Sequence, residues 1–412
     1  MNLIKLYKYE IYGLSKNKLI KLMKILKKKK LRTRFRRIKN KLYKNSISSL
    51  KKTFFIIILL IILIILNFTK GKIKNSSEIL DETKLSKYDH YKLLLPKKKP
   101  HVFKKMNKNE EIKLFKLEDS VDYKKMKDSG NNYIYHTCVI DRSKNENLYI
   151  REFVEHYLSI GVEKFYLGDD NPEDVENISD EIDDYIKKGI VDIEFTSPLN
   201  ITLYEFYEYT FRSVYNRCKW FIIYDTDEFL EFNDKNMNVK TYLDMPVFDK
   251  CDSIKIHWMI YDDNNLLLYD KRPLKERLSH ALPNNFLNIY HKSIVRGKKY
   301  NGTLFNEIPA IHQPNLDVLP NQCDALGNFE RLRVGYMGVP RFKYGHIRHH
   351  KYKTAEEFAL KMRRGYGQIG TNWDQMLDDF SKINNLTEEK LDLIEHIVNQ
   401  TFPKYHKNKN IQ

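Results

Sequence analysis

Residues 221–232 read FIIYDTDEFLEF, an apolar run that stops on Asp225, Asp227 and Glu228. Unpaired carboxylates at the end of a buried strand cost several kcal/mol each, so this group needs a positive partner. Asp225 and Asp227 are one residue apart, so a bend just past the strand can turn both toward one ion. Hard carboxylate oxygens select Mg2+ or Mn2+, which keep water and phosphate oxygens in their remaining positions. A diphosphate completes such a shell, and the ion then stabilises charge on a departing nucleoside diphosphate. An acidic pair in a solvated turn has the same spacing; its position directly after a buried strand favours the functional reading.

The residues before this motif say what must position it. Residues 133–140 are β-branched and aromatic, which predicts a strand. Ile150, Phe153, Val154, Tyr157 and Leu158 recur at helical spacing up to Gly161. A second strand is predicted over 164–167, a second helix over 175–186, a third strand over 190–195, a third helix over 203–218 and a fourth strand over 220–224. Alternation of this kind predicts right-handed crossovers and a largely parallel sheet covered on both faces. Ligands bind beyond the carboxyl ends of such strands. Asp141 follows the first strand, Asp169 and Asp170 the second, and Asp225 and Asp227 the fourth, so acids from three strands converge on one edge.

The stretch TCVIDRSKNENLYIREFVEHYLSIGVEKFYLGDDNPED resembles the opening of family 92 and related family-2-like glycosyltransferases. KWFIIYDTDEFLEF is similar to their metal-binding strand, and RPLKERL, HKSIVRG and IRHHKYKTAEEFALKMRRG resemble their later motifs in the same order. The resemblance covers about residues 133 to 366. It implies an α/β GT-A fold, Rossmann-like, with a nucleotide-sugar half (133–232) and an acceptor half (233–405). It also implies a membrane-anchored enzyme that moves a hexose from a nucleotide sugar, UDP-linked in the leading expectation, to a hydroxyl of a glycan or glycoconjugate, with inversion. Carried across, Asp225 and Asp227 are the ligands of Mn2+ or Mg2+ and its diphosphate, Asp169 and Asn145 lie near the nucleotide, and His349 completes the metal site. His346 competes for that last role. His350, Phe153 and Gly168 stand where the family usually has Tyr, Trp and an aromatic residue, which bears on donor and acceptor preference.

Further candidates come from the residues themselves. The acceptor hydroxyl needs a carboxylate base within reach, and Asp262 and Asp263 follow the strand-like run SIKIHWMIY. Glu228 is a candidate electrostatic residue or the partner of a neighbouring cation. Lys292 and Arg296 are candidates for phosphate oxygens, although paired basic residues on a strand are commonly solvated. His156 falls on the polar face of its helix, Trp258 serves as a sugar platform or as core, and Thr354 with Glu357 reads as a helix cap.

Of the 412 residues, the first 52 hold 19 Lys or Arg and a single acid, so they carry the entire net charge of +18 and the remainder is balanced. A nucleic-acid role is not expected; the basic stretch reads as topology signalling. Thr53 to Thr69 is 17 residues without charge, long enough for a transmembrane helix. The positive-inside rule then gives a single-pass type II protein: cytoplasmic tail 1–52, signal anchor 53–69, stem 70–132 and a domain over 133–405 facing the Golgi or ER lumen. Four cysteines without C-x-x-C spacing argue against a zinc knuckle and allow up to two disulfides, the pairing left open. Sequons at Asn75, Asn177, Asn200, Asn301, Asn385 and Asn399 fit a lumenal domain. Two alternatives are a membrane-tethered protein whose basic tail grips acidic lipid or RNA, and a metal-dependent hydrolase or phosphotransferase.

Overall fold

The computed structural model describes residues 86–99, 114–115, 133–305, 314–315, 317–330, 339–364 and 373–399. The basic tail and the apolar segment at 53–69 lie outside these residues. Among the described residues no helix is long and apolar enough to cross a membrane.

Period-two burial builds the first half of the sheet. Strand β1 (Tyr135–Ser143) sends Val139 into the core on one face and Cys138 and Ile140 into the core on the other. Strands β2 (Lys164–Asp169), β3 (Val191–Phe195) and β4 (Cys218–Ile223) lie parallel beside it, in the order β3-β2-β1-β4. Helix α1 (Ile150–Ser159) closes one face with Ile150, Phe153, Val154 and Tyr157. The predicted second helix is divided: Asp169 accepts the Ile178 N–H, a 3-10 turn spans Ile178–Glu181, and the short helix α2 (Asp183–Lys187) follows. Helix α3 (Leu203–Val214) opens with a Thr202–Glu205 capping box and closes the other face with Phe206, Tyr207, Phe211 and Val214.

Gly168 is explained by this packing. A Cβ there would stand 2.7 Å from the ring of Phe206, so α3 supplies the aromatic side chain that the strand position lacks.

The second half extends the same sheet. After β5 (Glu228–Phe232) and helix α4 (Val239–Leu243) come β6 (Ser253–Tyr261), helix α5 (Leu274–Arg277), β7 (Ala281–Leu282), β8 (His291–Arg296), β9 (Gln322–Cys323) and β10 (Gly345–His349). The order is β3-β2-β1-β4-β8-β6-β10-β5, with the two-residue strands β7 and β9 paired to β6. Pairings β4–β8, β8–β6 and β10–β5 are antiparallel and β6–β10 is parallel, so β8 and β5 alone oppose the other six strands of this order. Most of the sheet therefore presents its carboxyl ends along one edge, as the GT-A expectation requires. Helices α6 (Ala355–Arg364), α7 (Trp373–Ile383) and α8 (Glu388–Asn399) pack beside it, with Phe358 and Phe380 stacked at 4.4 Å and Leu393, Ile394 and Ile397 buried.

Within the segment expected as a stem, residues 86–99 and 114–115 belong to the folded domain. Tyr91 enters the main core, His90 pairs with Glu356 at 2.9 Å, Lys98 bridges to Val175, and Leu114 and Phe115 join the core on the α3 side. Two disulfides settle the pairing that the sequence left open. Cys138–Cys218 ties β1 to β4, and Cys251–Cys323 ties the start of β6 to β9. They close 80- and 72-residue separations, each worth about 4 kcal/mol by loop entropy.

Candidate functional site

The turn between β4 and β5 is built by reciprocal hydrogen bonds. Glu228 N–H donates to the Asp225 carbonyl and Asp225 N–H donates to Glu228 Oε2, both at 2.9 Å. Thr226, the middle residue of the motif, donates from Oγ1 to Asp141 Oδ2 at 2.7 Å, and Ser143 Oγ donates to the same oxygen at 2.6 Å. Burial, with Asp225 nearby, pushes the Asp141 carboxyl up to about 7 against the pull of these hydroxyls. Asp141 thus anchors the turn to the end of β1.

This anchoring gives the two aspartates different partners. Asp225, with 43% of its side chain exposed, meets the Lys292 ammonium at 2.9 Å. Asp227 is buried; Lys361 Nζ donates to its Oδ2 at 3.0 Å, and His349 Nε2 stands 3.6 Å from its Oδ1. Burial would raise the Asp227 carboxyl, but Lys361, His349 and Lys353 outweigh it and hold it well below the usual carboxylate range. His349 is the last residue of β10, and its ring packs against Trp258 at 4.3 Å. Burial lowers His349 below the ordinary histidine value, which leaves the imidazole neutral with a lone pair to offer. His346 instead lies 3.7 Å from Glu231, so His349 is the histidine that faces the motif.

Among the described residues no three His, Cys, Asp or Glu side chains gather as an ion site. Two of the three expected donors, Asp227 Oδ1 and His349 Nε2, do face each other at a spacing one ion can bridge. Mg2+ and Mn2+ commonly take few protein ligands and complete their shells with water and phosphate, so this pair fits such an ion. The third donor, Asp225, is engaged by Lys292.

Several expected residues take other tasks. Glu228 is fully buried against Lys292 at 3.3 Å, and burial raises its carboxyl well above the usual range; it shapes the turn and has no route to substrate. Burial would lower Lys292, but Asp225 and Glu228 outweigh it, so the ammonium stays charged and neutralises acids of the motif instead of reaching for phosphate. Arg296 lies at the far end of β8, where its guanidinium donates to the carbonyls of Cys251 and Phe248 and stacks on Trp220; it is not a phosphate ligand. Asp169 accepts the backbone N–H groups of Asn171 and Ile178 at 3.0 and 2.9 Å, which ties it to the loop after β2. Asp263 is buried in an ion pair with Lys390, whereas Asp262 reaches solvent and pairs with His280 Nδ1 at 2.6 Å. His156, expected on a polar face, is buried and hydrogen-bonded to the Leu230 carbonyl at 2.9 Å; burial lowers it to about 4.

Asn145 lines a cavity of about 220 Å3 beside the Asp227 lysines, together with Glu146, Tyr149, Lys353, Lys361 and residues 94–96. The sequence does not single out Lys353 and Lys361, because 72 basic residues hide two particular ones. Their place inside HKYKT and LKMRR, within the last of the matching motifs, is the one signal present. The Thr354–Glu357 cap is also more than a cap: Glu357 receives both guanidinium nitrogens of buried Arg277, at 2.6 and 2.7 Å, and the Tyr149 hydroxyl at 2.6 Å. That pair joins RPLKERL to the AEEFALKMRR helix and to α1.

Residues 135–396 match the profile of glycosyltransferase family 92. No curated protein matches the chain. Among solved structures the chain is similar to S. aureus TarS 1-349, at 13% identity and a TM-score of 0.29, over 66% of this chain and 73% of that one. It is also similar to S. aureus TarS at 14% and 0.31, over 60% of this chain and 43% of that one. A third likeness, to S. aureus TarS 1-349 in complex with UDP-GlcNAc, stands at 12% and 0.30, over 65% of this chain and 82% of that one. Likeness this distant decides nothing about chemistry. The family match, which spans well over half of the chain, sets aside the tethered-binding and hydrolase alternatives. The chain belongs to glycosyltransferase family 92 and is a glycosyltransferase.

Proposed function

We propose that the protein is a membrane-anchored, metal-dependent transferase that moves a hexose from a nucleotide sugar, UDP-linked in the first instance, to a hydroxyl of a glycan or glycoconjugate with inversion. The observation that carries this reading is Asp227 Oδ1 facing His349 Nε2 at 3.6 Å at the carboxyl ends of the strands, beside a cavity. Asp227 and His349 would hold Mn2+ or Mg2+, which supplies positive charge to the departing diphosphate when bound. The acceptor oxygen forms a bond to the anomeric carbon as the bond from that carbon to the diphosphate oxygen breaks, and the electron pair leaves with the diphosphate. Asp262 is the base that takes the hydroxyl proton, oriented by His280. Lys292 holds the first acid of the motif in place, and Trp258 backs His349. The tail, the anchor at 53–69 and a Golgi or ER lumenal domain complete the reading, and two buried disulfides suit an oxidising compartment.

The test is a screen of the full-length protein against nucleotide sugars with Mn2+ and an acceptor panel, beside the double variant Asp225→Asn, Asp227→Asn. Donor-dependent release of nucleoside diphosphate is expected from the parent, with a loss of at least about 100-fold in the variant, the scale of removing a transition-state charge contact. Equal turnover in both would refute the reading.

A further inference from the structure

The cavity beside Asp227 has an unusual rim. Leu94, Leu95, Pro96 and Leu148 give it an apolar wall, and Lys353, Lys361 and Arg363 bring three cations to it. Two of its residues, Asn145 and Lys353, hold the left-handed backbone at φ 55° and 58°. Asparagine tolerates that region, but a lysine there is strained, and strain of this kind persists where the surrounding structure enforces it. What the conformation achieves is to bury the Lys353 ammonium over the Tyr149 ring at 4.2 Å, with the carboxylates of Glu146 and Asp227 no nearer than 4.0 Å. Lys361 is closer to Asp227, at 3.0 Å, and also donates to the Lys351 carbonyl at 2.8 Å.

The charge balance favours an anion. Glu357, the other acid at the rim, is taken up by Arg277, which leaves Lys353, Lys361 and Arg363 against Glu146 and Asp227. Arg363 Nη1 is a buried donor without a hydrogen-bond partner among the described residues. A buried cation shared loosely between two carboxylates at 4.0 Å, beside that unmet guanidinium N–H, can receive phosphate oxygens.

We propose that Lys353 and Lys361 are direct ligands of the diphosphate of the sugar donor, so that this chain neutralises the leaving group with its own cations in addition to any ion at Asp227 and His349. The inference rests on the nucleotide-sugar reading given above and sharpens it. Each lysine meets a phosphate oxygen, while the apolar wall from residues 94–96 and Leu148 faces the less polar part of the donor. Diphosphate binding then persists, weakened, when divalent ions are removed.

The experiment measures binding of UDP, GDP, inorganic pyrophosphate and uridine to the full-length protein by titration calorimetry in excess EDTA. The parent is expected to bind a nucleoside diphosphate and pyrophosphate. Lys353→Gln and Lys361→Gln are each expected to weaken that binding at least about 10-fold, the size of one charge-assisted contact, with uridine unaffected. Because both lysines neutralise buried Asp227, Lys353→Arg and Lys361→Arg, which keep the charge, are the folding controls and are expected to retain most of the binding that the Gln variants lose, with affinities compared on the folded fraction. Equal UDP and pyrophosphate affinity in parent and Gln variants would overturn the assignment. So would parent binding that EDTA abolishes and Mn2+ restores, an outcome that leaves the transferase reading standing. A parent that binds no nucleoside diphosphate with or without Mn2+ would overturn the assignment and the donor reading together.

Discussion

At the scale of the residue, the site shows how one turn assigns opposite fates to neighbouring acids. Asp225 stays at the surface on Lys292, Asp227 is buried among lysines, and Glu228 becomes part of the scaffold. Asp141 links them, since the Ser143 hydroxyl and that of the motif's own Thr226 converge on its carboxyl. Its carboxyl, ordinarily near 3.8, is pushed up to about 7 by burial. A carboxyl raised in the folded state is favoured there in its protonated form, so stability is full below pH 4 and is lost as pH climbs through about 7. We therefore expect Asp141→Asn to be more stable than the parent at pH 8, by an amount on the order of a few kcal/mol, and to differ little at pH 4. Thermal melts at the two pH values check this, and an equal offset at both would show that ionisation of Asp141 is not the cause.

At the scale of the element, helix α3 and strand β2 are fitted to one another. Gly168 leaves room for the Phe206 ring, so Gly168→Ala overpacks the contact and should cost about 1–3 kcal/mol. The melting temperature should fall by several degrees with nucleotide affinity of the folded fraction unchanged, whereas an unshifted melt would mean that Phe206 has space to retreat. Antiparallel β5 and β8 matter for a different reason. β8 brings Lys292 under the motif, and β5 begins with Glu228, so the two strands that oppose the rest supply the side chains that clamp the turn.

At the scale of the whole molecule, the folded unit begins before the stretch that resembles the family. Residues 86–99 bury Tyr91, pair His90 with Glu356 and provide Leu94, Leu95 and Pro96 to the cavity. A chain that starts at residue 100 should consequently be less stable than one that starts at residue 80, by about 2–3 kcal/mol for the loss of one large buried side chain. It should also bind UDP more weakly. Denaturant unfolding and nucleotide titration of the two chains test this; identical values would show that the segment rests on the domain without contributing to it.

Much was legible beforehand, and for definite physical reasons. Alternating strand and helix periodicities reflect local burial that each segment carries in its own residues, so the parallel first half, the acidic strand ends and the ordered family motifs could be read along the chain. The anchor and the stem boundaries rest on composition alone. What the sequence could not determine was pairing across distance: which cysteines join, which histidine of GHIRHH faces Asp227, and that Arg296, Asp263 and Glu228 are bound up in the scaffold. Lysines 353 and 361 look like every other lysine until the fold buries one over Tyr149 and sets the other on Asp227. A side chain's type is fixed by the chain, but its charge state, partner and access depend on neighbours hundreds of residues away, and only the packed structure chooses those neighbours.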